Sequence, residues 1–358
     1  MKLAYLRPLY ERSGPFASLY LCTDRHTADA AKALSLRWRH ARIELGRLGA
    51  DDATLDAIEQ VVLDRDSAAP GRALFATDGQ VVHNEVLPES PSQVSTQVGE
   101  LPAVMPLLEE RQEPVPHVGV KADRQGAEII SVGDKRQVTT VDGIEWPIRK
   151  VKAGGWSESH YQRNAEETWE ANAREVAAQV MREAEAVDAQ VVLVGGDVRA
   201  RELVLESLGE PYAGRAVPTE HGVRSGADDE AWEQEVRAIL DERRRERRDA
   251  AVARFREAHG RGDAVAGLAD VTEALRGGQV DTLLIARPLR GELWYGSQPH
   301  ELATSEKELR ELGVHDPRCA ETGSVLARAA TATDAEIFFT EDVEPPDRVG
   351  AILRYTAA

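Results

Sequence analysis

The chain has few of the residues that mark several classes of protein. Its 358 residues include two cysteines, Cys22 and Cys319, at opposite ends of the sequence. That is too few, and too widely spaced, for a disulfide framework or a zinc site. No apolar run approaches the roughly 18 residues that span a bilayer, and the charged start is not typical of a signal peptide. These absences favour a cytoplasmic protein with reduced core thiols, no metal, no cofactor and no membrane contact.

Positive charge is also scarce in this sequence. Lysine and arginine total 44 against 62 acidic residues, which gives a net charge of -18. Proteins that coat nucleic acid are usually basic, because their affinity comes from neutralising phosphates. We therefore expect no DNA binding, and any RNA binding must use local basic patches. The acidity is equally consistent with solubility, with a salt-adapted background or with a surface for a partner protein.

Alternating strand and helix patterns predict an α/β fold with mixed sheets. The Asp78-Gly79 pair between two apolar runs predicts a hairpin. A Pro- and Ser-rich connection follows, and the prolines of Glu109–His117 suggest a boundary. Further predicted elements are strands over 16–24, 190–197 and 348–355, a strand–turn–strand over 117–134, and helices over 28–48, 164–187 and 228–259, the last long and charged. The predicted domains are 1–112, 113–259 and 260–358.

The tripeptide Gly277-Gly278-Gln279 spells the catalytic signature of protein-release factors. Its surroundings predict a different role. The stretch "LADVTEALRGG" ends a helix with two glycines, which is common C-cap chemistry, and "QVDTLLIA" then begins a buried strand. Gln279 is therefore predicted to lie in a tight helix-to-strand turn, which holds it close to the domain and away from a catalytic role.

The third predicted domain resembles the C-terminal domain of archaeal and eukaryotic class-1 release factors and of Pelota. The resemblance rests on "VTEALRGGQVD", "TLLIA" and the closing "GAILRY". In the middle domain, "KAGGWSESHYQRNAEETWEANAREVA" resembles the catalytic loop and long helix of those factors. Their loop carries Gly-Gly-Gln, whereas the matching residues here are Gly154, Gly155 and Trp156. The N-terminal domain resembles theirs only weakly.

The resemblance implies a three-domain, release-factor-like architecture with a C-terminal Pelota-like α/β domain. It is greatest for an actinobacterial branch that includes Balon-type ribosome hibernation factors, which lack the releasing glutamine. Such factors occupy the A site of idle ribosomes and are delivered with elongation factor Tu. The resemblance therefore implies the ribosome and its rRNA as partners, with elongation factor Tu as a further candidate.

The segment 149–163 is locally basic in this acidic chain. Its four cations against one acid, Glu158, give a local charge of +3. Paired glycines permit close backbone approach, and aromatic rings can stack on unstacked bases. The candidate RNA-binding residues are Arg149, Lys150, Lys152, Gly154, Gly155, Trp156, His160, Tyr161, Gln162 and Arg163. The alternative is an exposed strand–helix connection whose tryptophan folds onto its own domain.

Catalysis by this segment is not the preferred hypothesis. Ester hydrolysis needs a group that orients water, and the indole of Trp156 donates a hydrogen bond but accepts none. Gln162 is the fallback catalytic candidate, as a displaced loop glutamine. His160 has no nucleophile or carboxylate near it in sequence, so an RNA contact or an inert surface position is favoured for it.

Three other patterns are ambiguous. Arg37, Arg39, His40 and Arg42, with Trp38, could form a decoding-side RNA face, or belong to an ordinary helix that packs Leu36, Ile43 and Leu48 inward. The tract 242–249, "ERRRERRD", favours ion pairs on a helix surface. Leu193–Arg201, "LVGGDVRAR", lacks the full P-loop pattern and predicts a strand-to-helix turn without a nucleotide.

Three functions follow from these patterns. The preferred one is a ribosome hibernation factor that occupies the A site, inserts its loop toward the peptidyl-transferase centre and is not an enzyme. The second is a peptidyl-tRNA hydrolase or ribosome rescue factor that uses Gln162. The third is a module that binds a partner protein through the acidic surface.

Overall fold

A computed structural model of the protein describes residues 1–24, 30–64, 69–87, 89–111, 115–133, 135–143, 156–341 and 345–355. These residues form a mixed α/β structure, as the sequence predicts. They divide into two compact units, Met1–Gln112 with Arg248–Ala358 (the larger unit) and Glu113–Arg247 (the smaller unit). The predicted domains 1–112 and 260–358 both fall in the larger unit, and the three-domain division remains a prediction.

The N-terminal part of the larger unit combines one four-stranded antiparallel sheet with four helices. Its elements in chain order are α1 (Arg7–Tyr10), β1 (Phe16–Cys22), α2 (Ala30–Arg47), α3 (Asp52–Leu63), β2 (Gly71–Thr77), β3 (Gln80–Leu87), β4 (Ser95–Gly99) and α4 (Met105–Glu110). The strand order is β3-β2-β1-β4. The predicted hairpin joins β2 to β3, where Asp78 and Gly79 both have positive φ, as a tight hairpin turn requires. The end of the Pro- and Ser-rich connection, which no strand pattern marked, forms β4, and β4 pairs with β1.

The smaller unit is a five-stranded sheet with helices. It contains β5 (His117–Asp123), β6 (Gly126–Val132), β7 (Arg136–Asp142), α5 (Trp156–Ala186), β8 (Val191–Gly196), α6 (Val198–Ser207), β9 (Ala216–Pro218) and the first part of α7 (Asp229–Arg261). The strand order is β7-β6-β5-β8-β9, and β5, β8 and β9 are parallel. The core lies between the sheet and helices α5 and α6, and centres on fully buried residues such as Val120, Val180 and Val194. Both faces of β5 and β8 are covered, which explains their nearly continuous apolar sequences.

The C-terminal part of the larger unit holds two small sheets. Its elements are β10 (Ala264–Ala266), α8 (Leu268–Arg276), β11 (Val280–Ala286), β12 (Glu292–Tyr295), β13 (Leu302–Ala303), α9 (Glu306–Glu311), β14 (Arg318–Glu321), α10 (Thr322–Ala332), β15 (Glu336–Thr340) and β16 (Val349–Leu353). One sheet is β10-β16-β11-β15 and the other β13-β12-β14. The first is mixed, since β11 is parallel to β15 and antiparallel to β16. One core runs through both parts of the larger unit, from Leu6 and Phe75 to Leu283 and Leu326.

The cysteines are both free, as expected, but they are not both in the core. Cys22 is half-buried at the end of β1, whereas Cys319 is exposed on β14. The prediction of two core thiols is therefore wrong for Cys319. No helix in the described part of the chain is both long and apolar enough to cross a membrane.

Candidate functional site

The basic segment, 149–163, follows β7 in the smaller unit and runs into the first turns of α5. Residues 144–155 fall outside the described part of the chain, so the candidates Arg149, Lys150, Lys152, Gly154 and Gly155 do too. Strand β7 ends at Asp142, and helix α5 begins at Trp156. The segment thus joins a sheet edge to the first turn of a 31-residue helix.

Helix α5 begins earlier than the sequence predicted. The predicted start was Asn164, with a loop up to Arg163, but the backbone is already helical at Trp156. Neither proline nor glycine occurs between 156 and 163, so no residue there strongly opposes a helix. The candidates Trp156, His160, Tyr161, Gln162 and Arg163 therefore lie on the first turns of α5, and their side chains are outside the described set.

The elements on either side of the segment are anchored to the same part of the unit. At the end of β7, the Gly143 N–H donates to the Gln125 carbonyl at 2.6 Å. The buried Asn172 of α5 donates from Nδ2 to the Arg124 carbonyl at 3.2 Å. A Cβ at Gly143 would lie 2.3 Å from the Asn172 side chain, so glycine permits this approach. The turn between β5 and β6 therefore serves as a common anchor for the sheet edge and the helix.

The arginines beside this anchor are already paired with acids. The Arg124 guanidinium lies 4.6 Å from the Trp169 ring centroid and 3.5 Å from Asp197. Arg224 contacts both Asp123 and Asp142. Burial disfavours the Arg224 charge, but the hydrogen bond to Asp142 and the nearby Asp123 outweigh it and raise its pKa. The anchor therefore adds little net positive charge, and the basic character of the site comes from the segment itself.

These anchoring residues were missed in the sequence. Arg124 lies far along the chain from Trp169 and Asn172, which lie three residues apart in the helical part of the stretch that resembles release factors. Nothing in the sequence pointed to a contact between them. They meet because β5 pairs with β6 while α5 packs across both strands. The glycine at the end of β7 was the one local signal, since a conformationally permissive residue commonly marks close backbone approach.

The N-terminal candidates lie on α2, and the structure separates them. Arg37 donates from Nη1 to the Cys22 carbonyl at 3.3 Å, and Arg42 forms ion pairs with Asp56 and Glu59. Arg39 and His40 are exposed and form no hydrogen bond or ion pair with another described residue. Only the latter two are free to contact a partner.

The inward face of α2 also differs from the expectation. Leu36 and Ile43 are each 51% exposed and Leu48 is 46% exposed, whereas Trp38 is 3% exposed. The buried residues Leu34, Trp38, Ala41 and Leu45 follow helical spacing, and they pack on the sheet formed by β1 and β2. The prediction that Leu36, Ile43 and Leu48 pack inward is therefore wrong. The face of α2 that carries Trp38 is the one buried in the core, and it turns the other three residues toward solvent.

The Gly277-Gly278-Gln279 turn has the predicted form. Helix α8 ends at Arg276, Gly278 has a φ of +65°, and the Gln279 N–H donates to the Ala274 carbonyl at 3.0 Å. The Gln279 carbonyl accepts from the Arg354 N–H at 2.7 Å, which ties the turn to the end of β16. The tripeptide is a helix cap that leads directly into β11.

Two further predictions are confirmed. The arginines of the 242–249 tract pair with acids on the same helix, namely Arg243 with Glu246, Arg244 with Asp241, and Arg245 with Glu242. The glycines after Val194 end β8, and Asp197 caps the N-terminus of α6 by accepting from the Arg199 and Ala200 N–H groups. Within the described ranges, no group of three or more His, Cys, Asp or Glu residues is placed to hold a metal ion.

Comparison with other proteins identifies the family. The sequence is 33% identical over 365 residues to the uncharacterized protein Rv2629 of Mycobacterium tuberculosis, and the match covers 100% of this chain and 98% of that protein. The profile of bacterial archaeo-eukaryotic release factor family 2 matches residues 116–261, which include the basic segment. The chain belongs to the bacterial archaeo-eukaryotic release factor family. The suspected release-factor relationship is therefore confirmed.

Solved structures of an archaeal translation termination factor and of Pelota proteins are only distantly similar to this chain. An archaeal translation termination factor is 18% identical with a TM-score of 0.28, and the match covers 98% of this chain and 96% of that one. Archaeoglobus fulgidus Pelota is 15% identical with a TM-score of 0.37, covering 99% and 92%. A ribosome-bound archaeal Pelota is 14% identical with a TM-score of 0.41, covering 99% and 95%.

Proposed function

We propose that this protein is a ribosome-binding translation factor that occupies the A site and blocks translation during stress or dormancy without releasing peptide. The observation that carries the proposal is the sequence Gly154-Gly155-Trp156 inside the part of the chain that matches the release-factor family. Where the resemblance places a catalytic glutamine, this chain has an indole.

The chemistry of that substitution argues for binding without hydrolysis. A glutamine amide both donates and accepts hydrogen bonds, so it can orient a water molecule beside an ester carbonyl. The Trp156 indole has a single N–H donor and no acceptor. Its large flat ring is suited to stacking on an unpaired base. The substitution therefore removes the hydrolytic function and adds a group that favours an RNA contact.

The distribution of charge supports the same function. The chain as a whole carries -18, whereas residues 149–163 carry +3. Acidic surfaces are repelled by rRNA, so a protein of this kind approaches the ribosome productively only with its basic segment first. The paired arginines of the anchor leave Arg149, Lys150, Lys152 and Arg163 as the residues that would neutralise phosphates.

Ribosome binding is tested by co-sedimentation of the full chain with vacant ribosomes at low salt, with and without elongation factor Tu. We expect the protein to pellet with ribosomes, and prior occupation of the A site by aminoacyl-tRNA to prevent it. Failure to pellet under either condition would contradict the proposal. If tRNA in the A site does not reduce the amount of protein that pellets, the protein does not bind at the A site. Delivery by elongation factor Tu is supported if its addition raises the bound fraction.

Peptide release distinguishes this function from a hydrolase. Ribosomes that carry labelled peptidyl-tRNA should retain the peptide in the presence of the protein. Release that is lost in Gln162→Ala would instead establish a peptidyl-tRNA hydrolase or rescue factor. Gln279→Ala is the matched control, because Gln279 lies in the α8–β11 turn and should have no effect in either case.

A further inference from the structure

The larger unit contains a cavity that the proposed function does not use. Its volume is about 510 Å³, within the roughly 300–1,000 Å³ that is usual for small-molecule sites. The walls come from α1 and the turn that follows it, from residues 100–102, from the end of β12, from residues 313–318 and from Arg328 of α10. A cavity of this size has room for a drug-sized organic molecule.

Arg328 is the notable charge in the wall of this cavity. Its Nη1 donates to the Gly296 carbonyl at 2.9 Å and its Nη2 donates to the Ser297 carbonyl. It forms no ion pair with another described residue. Burial lowers the pKa of its guanidinium. Two neutral carbonyls orient the group, and Glu301 favours its charge only from beyond ion-pair distance. A partly buried cation without a direct ion pair favours an anionic partner.

Two tyrosines lie beside this guanidinium. The Arg328 Cζ is 5.5 Å from the Tyr295 ring centroid, and Tyr295 also lines the cavity. The hydroxyl of Tyr10, another lining residue, is buried and has no hydrogen-bond partner in the described part of the chain. Burial raises the pKa of Tyr10, so its phenol stays protonated beside the cavity. The wall therefore places a cation next to tyrosine rings.

The acids around the cavity limit the charge of an occupant. Glu100 and Asp316 both pair with Arg318, and Glu301 accepts from the Gln298 N–H at 2.9 Å. Four acids and three arginines line the cavity, so its formal charge is -1 with histidine neutral. A ligand with two or more negative charges would be repelled, whereas a single anionic group placed at Arg328 would be stabilised. Leu101, which is half-buried, and the edge of Val314 supply apolar contact for the rest of such a molecule.

We propose that this cavity binds a small carboxylic acid with a planar, apolar body, whose carboxylate is held by Arg328 and whose ring packs beside Tyr295 and Tyr10. The site is separate from the basic segment and goes beyond the proposed ribosome binding.

Calorimetric titration of the full chain with 3-phenylpropionate tests the proposal. Two analogues serve as comparisons, the neutral 3-phenylpropionamide and the dianionic 3-phenylpropyl phosphate. We expect the carboxylate to bind at least about ten-fold more tightly than the amide, which is the usual effect of a charge-assisted hydrogen bond. Equal affinity for carboxylate and amide, or no binding of the carboxylate at millimolar concentration, would overturn the proposal. Tighter binding of the phosphate would overturn the assigned ligand class.

Variants locate the binding. Arg328→Gln should lower the affinity for 3-phenylpropionate about ten-fold or more. Ser297→Trp keeps the guanidinium and its backbone acceptors but places a large ring at an exposed residue of the cavity wall, so it should also block binding. Arg261→Gln is the control, because Arg261 is exposed, pairs with Glu257 and does not line the cavity. Unchanged affinity in Ser297→Trp would place the binding elsewhere, even if Arg328→Gln fails to fold.

Discussion

The hydroxyl of Tyr20 donates to the carbonyl of Ala103 at 2.6 Å, and this contact is buried. The same oxygen accepts from the Leu107 N–H at 3.1 Å, in the first turn of α4. A helix leaves its first N–H groups without partners inside the helix. The Tyr20 side chain, which comes from β1, therefore satisfies one of them and joins the sheet to α4.

Tyr20→Phe should lower the free energy of unfolding by about 1–3 kcal/mol, because it leaves a buried N–H and a buried carbonyl without partners. Chemical denaturation monitored by circular dichroism measures the change. Tyr10→Phe is the matched control, since the Tyr10 hydroxyl has no partner among the described residues. It should leave the protein as stable as before or more so. Equal destabilisation by both substitutions would show that the hydroxyl contacts of Tyr20 contribute nothing.

Asp51 caps α3 and connects it to the β2–β3 hairpin. Its carboxylate accepts from the Thr54 N–H at 2.9 Å and from the Thr54 hydroxyl at 2.7 Å, and the Thr54 hydroxyl accepts from the Gly79 N–H at 2.9 Å. Asp51→Ala should cost about 0.5–2 kcal/mol of stability at neutral pH. Asp51→Asn keeps an accepting oxygen and should lose much less. Equal losses for the two variants would argue against a capping role.

Acidification should remove the Asp51 contribution. Hydrogen bonds, first from the Thr54 hydroxyl and then from the backbone, lower the pKa of this carboxyl below its ordinary value of 3.8. A carboxyl with a lowered folded-state pKa stabilises the fold above its unfolded-state pKa, and loses that effect as the pH falls through the folded value. The difference in stability between wild type and Asp51→Ala should therefore shrink below about pH 4.

Local sequence patterns predicted the helices and turns of this fold better than they predicted which elements pair or pack together. Short-range signals sufficed for the hairpin at Asp78-Gly79 and for the helix-to-strand turn at Gln279, since turns and caps depend on residues that are adjacent in sequence. Strand β4 was missed because its polar sequence, Ser95–Gly99, lacks an apolar alternation and forms only by pairing with β1. The buried face of α2 was misassigned because Leu36 and Ile43 are as apolar as the residues that do pack inward.

The candidate site was predictable only in part for the same reason. The composition of 149–163 is visible in the sequence, whereas the anchor of Arg124, Asn172 and Gly143 arises from tertiary contacts. The start of α5 at Trp156 also depends on tertiary packing. The later turns of α5 pack against the sheet, and this packing stabilises first turns that would not form a stable helix by themselves.

His117 should make the fold sensitive to mild acid. It begins β5, and its Nδ1 lies 2.8 Å from the Val115 carbonyl. Burial lowers the pKa of this histidine below its ordinary value of 6.5. Below that pH the unfolded chain binds a proton more readily than the folded chain, so stability falls until the lower folded-state pKa is reached. The slope from this group is at most about 1.4 kcal/mol per pH unit.

Urea denaturation at several pH values between 7.5 and about 5 measures this slope, since ordinary carboxyl groups titrate mainly below that window. His117→Gln should lose less stability over the window than the wild type does. His315→Gln is the control, because His315 is exposed and forms no hydrogen bond or ion pair with another described residue. If the stability of His117→Gln depends on pH as steeply as that of the wild type, or more steeply, His117 is not the group responsible.

The α2 arginines should divide into binding and structural roles. Arg39 is exposed and free of described partners, so Arg39→Ala should weaken ribosome co-sedimentation without changing stability. Arg42 bridges α2 to Asp56 and Glu59 of α3, so Arg42→Ala should reduce stability, by up to about 1 kcal/mol because the pairs are partly exposed. If Arg42→Ala loses ribosome binding and Arg39→Ala does not, the binding and structural roles of the two arginines are reversed.

The basic segment should determine how ribosome affinity depends on salt. Lys152 supplies one of its four cations and Trp156 its first aromatic ring. Each phosphate neutralised by a protein cation adds roughly one to the slope of log affinity against log salt. Lys152→Ala should therefore weaken binding and reduce that slope by about one, whereas Trp156→Ala should weaken binding with the slope unchanged. The double variant should combine both effects.

Titration of labelled ribosomes at four or more salt concentrations gives the slopes. Lys307→Ala is the matched control, because Lys307 is an exposed lysine that lies on α9 of the larger unit and pairs with Glu311. It should leave both affinity and slope unchanged. Equal effects of Lys152→Ala and Lys307→Ala would show that the ribosome responds only to overall charge. An unchanged affinity in the double variant would mean that the segment stays away from the RNA, because loss of a contact that neutralises phosphate must weaken binding.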